Sequence, residues 1–97
     1  MHIMVVRMST DPGRAEEVRR HLEDNVKRRA SERPGYIGGR WLIAEDGRHA
    51  MGIVRFDSAE HAQAAAIAGP RQAMDDLDDR AWNVIGVNVF EQVAAGG

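Results

Sequence analysis

Tyr36-Ile37-Gly38-Gly39-Arg40-Trp41-Leu42-Ile43-Ala44, then Glu45-Asp46-Gly47-Arg48, then His49-Ala50-Met51-Gly52-Ile53-Val54-Arg55-Phe56 is the stretch that decides the fold. Both flanks are rich in β-branched and aromatic residues, as strands require. Asp46-Gly47 between them suits the positive φ angles of a type I′ turn, so the two flanks pair as an antiparallel hairpin. Working outward, each end of the hairpin meets a helical pattern. Upstream, Ala15, Val18, Leu22, Val26 and Ala30 recur at spacings of three or four over 14–33, which draws one narrow apolar stripe on a charged helix. Pro34-Gly35 stops that helix. Downstream, Asp57 or Ser58 caps an Ala-rich helix through Ala68, with Asp57 and Glu60 at the spacing of a capping box. Gly69-Pro70 interrupts it, and a short helical piece is expected over Gln72–Leu77.

The outermost segments are strands again, His2–Met8 and Asn83–Val93. The order β-α-β-β-α-β follows. Two right-handed crossovers put both helices on one face of a four-stranded antiparallel sheet. The expected fold is therefore α+β and ferredoxin-like. The 97 residues suffice for one such domain, spanning 1–97, and contain no repeat or linker beyond the two β-α-β halves.

Composition narrows the function. Cysteine is absent, which excludes disulfide scaffolds, thiol nucleophiles and Cys-based metal sites. The net charge of −2 leaves no overall basic surface to neutralise phosphates, so nucleic acid is not an expected partner. No apolar run approaches the roughly 20 residues of a membrane span. A cytoplasmic protein without membrane contact is the expectation. Charge is unevenly spread: 14–33 carries seven basic and five acidic residues, and 57–79 carries six acidic residues against Arg71 alone. The acidic block reads either as a cation or partner site or as a solvated helix face.

Both faces of the sheet read as apolar, whereas a one-sided sheet alternates with polar residues. One parity gives Met4, Val6 and Met8; Ile37, Trp41 and Ile43; Val54 and Phe56; Ile85, Val87 and Val89. This wholly apolar set is assigned to the helices. The other parity gives Ile3, Val5 and Arg7; Arg40 and Leu42; Met51, Ile53 and Arg55; Val84, Asn88 and Phe90. Neither helix can cover this second face. Each large side chain left in water forgoes roughly 1.5–3 kcal/mol that burial would return. A patch of this kind marks an association surface, and a homodimer packed sheet to sheet is the expected solution.

The run Arg33-Pro34-Gly35-Tyr36-Ile37-Gly38-Gly39, followed by Asp46-Gly47 and by Gly52-Ile53-Val54-Arg55-Phe56-Asp57-Ser58-Ala59-Glu60, resembles the antibiotic biosynthesis monooxygenase-like family of the dimeric α/β-barrel superfamily. In that family a Pro-Gly-aromatic-x-Gly run opens the second strand, and an aromatic-x-Ser-x-Glu run closes the third. The resemblance implies a dimer through the sheets. It also implies a cofactor-independent monooxygenase acting on a small aromatic substrate in the barrel cavity. Phe56 stands where the family usually has Trp. The family's haem-degrading members resemble one another in an Asn on the first strand and in a Trp and a His on the second helix. Here Arg7, a position near Ala65, and Met74 or Asp75 fall at those places, and 63–79 contains no His. Haem degradation by that constellation is not expected, and no cofactor or metal is.

Four residues are the candidates for catalysis: Arg7 and Arg55 to stabilise an oxyanion, Asn88 to orient the substrate, and His49, at the hairpin end, to accept a proton. Arg40, Trp41, Phe56 and Phe90 are the candidates to contact a small aromatic or anionic ligand. Each has a structural counterpart. The arginines also suit salt bridges to Asp57, Glu91 or a partner chain. Asn88 also suits a neighbouring Arg, His49 simple exposure, and the aromatics the core. His61 falls in the first turn of the second helix and His21 on the charged face of the first. The four His residues show no metal-ligand spacing. A ligand-binding protein without turnover and a bare dimerisation module are the alternatives to an enzyme.

Overall fold

The computed structural model describes residues 1–75 and 82–97, with the side chains at 70 and 72–75 left aside. Four strands, β1 (His2–Thr10), β2 (Tyr36–Ile43), β3 (His49–Phe56) and β4 (Trp82–Glu91), form one open antiparallel sheet in the order β2-β3-β1-β4. The hairpin forms where expected, but not through a type I′ turn: the Ala44 carbonyl accepts from Gly47 N at 2.9 Å, Asp46 is not at positive φ, and Gly47 alone is left-handed at 73°.

The first helical segment is not one regular helix. A 3-10 turn over Pro12–Arg14 leads into α1 (Ala15–His21), a π-helical segment (Leu22–Val26) and α2 (Lys27–Ser31). Val18, Leu22, Val26 and Ala30 are each four residues apart, a spacing that drifts by about 40° per step on an α-helix. The wider π turn takes up that drift, so Val18 and Leu22 are buried and Val26 and Ala30 half-buried along one line. Ion pairs Arg14–Glu17 (2.5 Å) and Arg19–Glu16 (3.5 Å) brace the exposed side.

α3 (Ala59–Asp75) runs straight through Gly69-Pro70, where an interruption was expected. Part of a proline's penalty on the preceding residue is a clash with that residue's Cβ, and Gly69 has none. The expected helical piece over Gln72–Leu77 therefore merges into α3 as far as Asp75 and otherwise lies outside the described residues. The cap is Ser58, whose Oγ accepts from His61 N at 3.2 Å. Asp57 is not the cap; its carboxylate meets the His61 ring instead, Nδ1 to Oδ1 2.6 Å.

Two bulges correct the expected alternation. β1 pairs Arg7 with Gly86 but Met8 with Val84, so Ile85 is extra in β4. β3 pairs Phe56 with Tyr36 but Arg55 with Gly38, so Ile37 is extra in β2. Ile37 and Ile85, expected beneath the helices, are 46% and 57% exposed, and Val84, expected on the open face, packs in the core. An inserted residue reverses the facing of the strand beyond it. The core lies between sheet and helices in two clusters, one around Met8, Val18, Leu22 and Trp82, the other around Met4, Val54, Phe56 and Ala65.

Candidate functional site

The sheet separates two surfaces. On the helix side a cavity of about 60 Å³ lies between the strands and the helices. Its walls are Met4, Val6, Met8, Val54 and Val84 from the strands and Val26, Ala30, Ala65 and Gly69 from the helices, with Trp41, Phe56 and Trp82 as aromatic faces. Two glycines make the bed for Trp41: a Cβ on Gly39 would sit 2.7 Å from its Cη2, and one on Gly52 would sit 3.2 Å from its Cδ1. The indole thus lies low on the sheet and leaves room above it. Phe56 and Trp82 are almost wholly buried. The Trp82 Nε1 donor is buried with no hydrogen-bond partner among the described residues. A buried donor of this kind favours an acceptor oxygen beside it. The ring of Trp82 also meets His21 edge to face, with centroids 5.0 Å apart. His21, expected on a charged face, is buried, and its Nδ1 lies 3.1 Å from Asn25 Nδ2.

Arg29 and Arg33 are the charged groups on the cavity lining. Sequence reasoning passed over both, as it did the inward role of Trp82. The signal was present for the arginines, since 26, 29, 30 and 33 continue one helical stripe. Among the described residues the lining holds no His, Asp or Glu.

The open face carries the rest of the candidates. Cross-strand register builds three rows: Ile3, Arg55, Gly38 and Phe90; Val5, Ile53, Arg40 and Asn88; Arg7, Met51, Leu42 and Gly86. His49 pairs with Ser9 one row further on and is exposed. Leu42 and Phe90 are 48% and 53% exposed. Arg7 Nη2 donates to Asn88 Oδ1 at 3.4 Å, a long contact. The structure thus brings Arg7, Arg40, Arg55, Asn88, His49 and Phe90 to one face and Trp41 and Phe56 to the other. No small molecule touches both sets at once.

His61 and Asp57 form a further pair at the N-terminus of α3. The hydrogen bond from His61 holds the Asp57 carboxyl below its ordinary value of 3.8. Both side chains are substantially exposed. Gly35, at φ 79°, packs against them, and its carbonyl accepts from Asp57 N at 2.9 Å. The two sequence motifs therefore meet in space, with Tyr36 opposite Phe56. No group of side chains suited to a metal ion occurs among the described residues, and Asp76, Asp78 and Asp79 of the acidic block lie outside them. No helix among the described residues is long and apolar enough to cross a membrane.

The family model for antibiotic biosynthesis monooxygenases matches residues 1–69. The chain belongs to this family. No curated protein matches it in sequence. Among solved structures it is similar to the haem-degrader MhuD of Mycobacterium tuberculosis, determined with two haems in its active site, at 19% identity and TM-score 0.74 over 100% of each chain. It is similar to the monooxygenase ActVA-Orf6 of Streptomyces coelicolor in complex with nanaomycin D, at 16% identity and TM-score 0.67 over 97% of this chain and 88% of that one. It is also similar to SnoaB of Streptomyces nogalater, a cofactor-independent oxygenase, at 14% identity and TM-score 0.67 over 97% and 94%. Likeness at these identities establishes the shared ferredoxin-like fold of this monooxygenase family member.

Proposed function

We propose that this chain is a cofactor-independent monooxygenase acting on a small phenolic or hydroquinone-type aromatic in the cavity between helices and sheet. The observation that carries the reading is the aromatic lining of Trp41, Phe56 and Trp82 joined to two guanidinium groups, Arg29 and Arg33, at one apolar cavity. Flat side chains favour a flat ring. The Trp82 N–H suits a carbonyl or phenolate oxygen, and the two cations favour the ionised substrate. The arginines lower the cost of ionising the substrate, whose proton passes to solvent. For an anthrone-type substrate the carbanion carbon then takes one oxygen atom from O₂ and becomes a carbonyl, while the second oxygen leaves as water.

Size decides what binding requires. Small-molecule sites commonly enclose roughly 300–1,000 Å³, so a fused-ring substrate enters this cavity only if the helical layer lifts. That same smallness favours a second reading, a non-catalytic ligand-binding or dimerisation protein. In either reading the open face, with Ile3, Val5, Leu42, Met51, Ile53 and Phe90 uncovered, is closed by a second copy. Oxygen uptake with an anthrone-type substrate tests the proposal. Uptake above buffer that falls in Trp41→Ala and Arg33→Gln supports it. Thermal stabilisation by the substrate without product supports the second reading, and neither effect overturns both ligand readings.

A further inference from the structure

The open face carries three guanidinium groups, those of Arg7, Arg40 and Arg55, and its strand positions offer no carboxylate. Strand geometry puts Arg40 and Arg55 roughly 8 Å apart at Cα and Arg7 about 12 Å from Arg40. None of the three forms an ion pair among the described residues. The two acids that sequence reasoning offered them are engaged or turned away. Asp57 is bonded to His61. Glu91 is in register with His2, which pairs with Phe56 on the helix side.

The arginines are also seated. A Cβ on Gly38 would come 2.5 Å from Arg55 Nη2, and one on Gly86 would come 3.0 Å from Arg7 Cζ. The guanidinium groups of Arg55 and Arg7 thus lie against the backbone of the neighbouring strand at Gly38 and Gly86. Asn88 adds an amide beside Arg7.

The strand positions of this face would bring no carboxylate to the arginines of a second copy. In a two-fold contact the same surface meets itself, so cations meet cations over apolar ground. We propose that the open face is a binding site for a small multivalent oxyanion, of the polycarboxylate or phosphate class, held by Arg7, Arg40 and Arg55. A planar guanidinium fork fits both chemistries. Sheet-to-sheet association is then linked to the anion, because ligand that binds the closed form favours it. The inference goes beyond the monooxygenase reading and stands whether or not the cavity turns over a substrate.

Calorimetric titration of the full chain with citrate and with pyrophosphate, acetate serving as the monovalent control, tests it. Sedimentation in the same buffers reports the association state. The expected result is saturable binding of citrate, pyrophosphate or both, with more dimer in the bound state; the stronger arm identifies the class. Arg7→Gln and Arg55→Gln should each weaken binding by about tenfold or more, while Arg20→Gln, on the helical layer, leaves it unchanged. No saturable binding of either anion overturns the proposal. So does equal weakening in Arg20→Gln, or a dimer equally tight without multivalent anions.

Discussion

Gly35→Ala tests the joint between the two sequence motifs. An L-residue held in the left-handed region costs about 1–2 kcal/mol, and φ at Gly35 is 79°. The reduced freedom of the unfolded alanine chain acts the other way, because less freedom is lost on folding; it returns about 0.4–1 kcal/mol to the folded state. The new Cβ also lands on the Nδ1 edge of His61 and on the Asp57 carboxylate, with His61 Cγ only 2.7 Å away. Overpacking of this kind costs about 1 kcal/mol or more. The net loss is then roughly 2 kcal/mol, a fall in Tm of roughly 8–16 °C for a domain of this size. Gly47→Ala is the comparison. Its φ of 73° carries the same backbone cost, and its Cβ would meet Pro12 Cα at 3.1 Å, far from Asp57. Urea denaturation gives the stabilities, and NMR titration follows the Asp57 carboxyl. Both variants should lose stability, but only Gly35→Ala should raise the Asp57 pKa toward its ordinary value. A Gly35→Ala protein as stable as wild type, with Asp57 still titrating low, refutes the account.

Three further outcomes follow from single side chains. Because the Asp57 carboxyl titrates low when folded, its contribution is complete above the ordinary value of 3.8 and is lost as pH falls through the folded value; Asp57→Asn should flatten that part of the acid limb in denaturation midpoints measured against pH. Phe56→Ala empties a fully buried position and should cost about 3–5 kcal/mol in urea denaturation, whereas a cost below 1 kcal/mol would mean the second cluster repacks. Phe90→Glu changes a residue 53% exposed on the open face; sedimentation should show loss of dimer while the monomer keeps its near-UV circular dichroism.

The fold was legible because its strongest signals are local. Asp46-Gly47 fixes the hairpin, and the helical stripes on either side fix the order of elements. What failed needed information from across the sheet. Nothing within Tyr36–Gly38 marks Ile37 as the extra residue; the bulge exists relative to Phe56 and Arg55 on β3. His21 looked solvated because its sequence neighbours are charged, yet Trp82, sixty-one positions later, buries it. The π segment was hinted at by the repeated four-residue spacing, but only packing against the strands decides that the helix widens rather than the stripe drifting.

The site was half legible for a reason that follows from the pleat. Arg40 and Trp41 are adjacent, as are Arg55 and Phe56, and adjacent residues on a strand face opposite ways. The alternation of the strands already placed Trp41 and Phe56 with the helices and Arg40 and Arg55 on the open face, as the structure does; listing all four against one ligand joined what the sheet keeps apart. The cavity's own cations come instead from the helical layer, Arg29 facing inward two residues before Ser31 ends α2 and Arg33 just beyond it. A sheet of this kind therefore supports two separable chemistries. Substitutions at Trp41 or Arg33 should alter binding in the cavity and spare association, and those at Arg7 or Arg55 should do the reverse. Coupling between the two would have to travel through β1 and β3, whose residues alternate between the surfaces: Val6 and Val54 under the cavity, Val5 and Ile53 on the open face. These two central strands pair with each other, and each also pairs with an edge strand. They are the most constrained part of the sheet, which is why the independence of its two surfaces is the expected outcome.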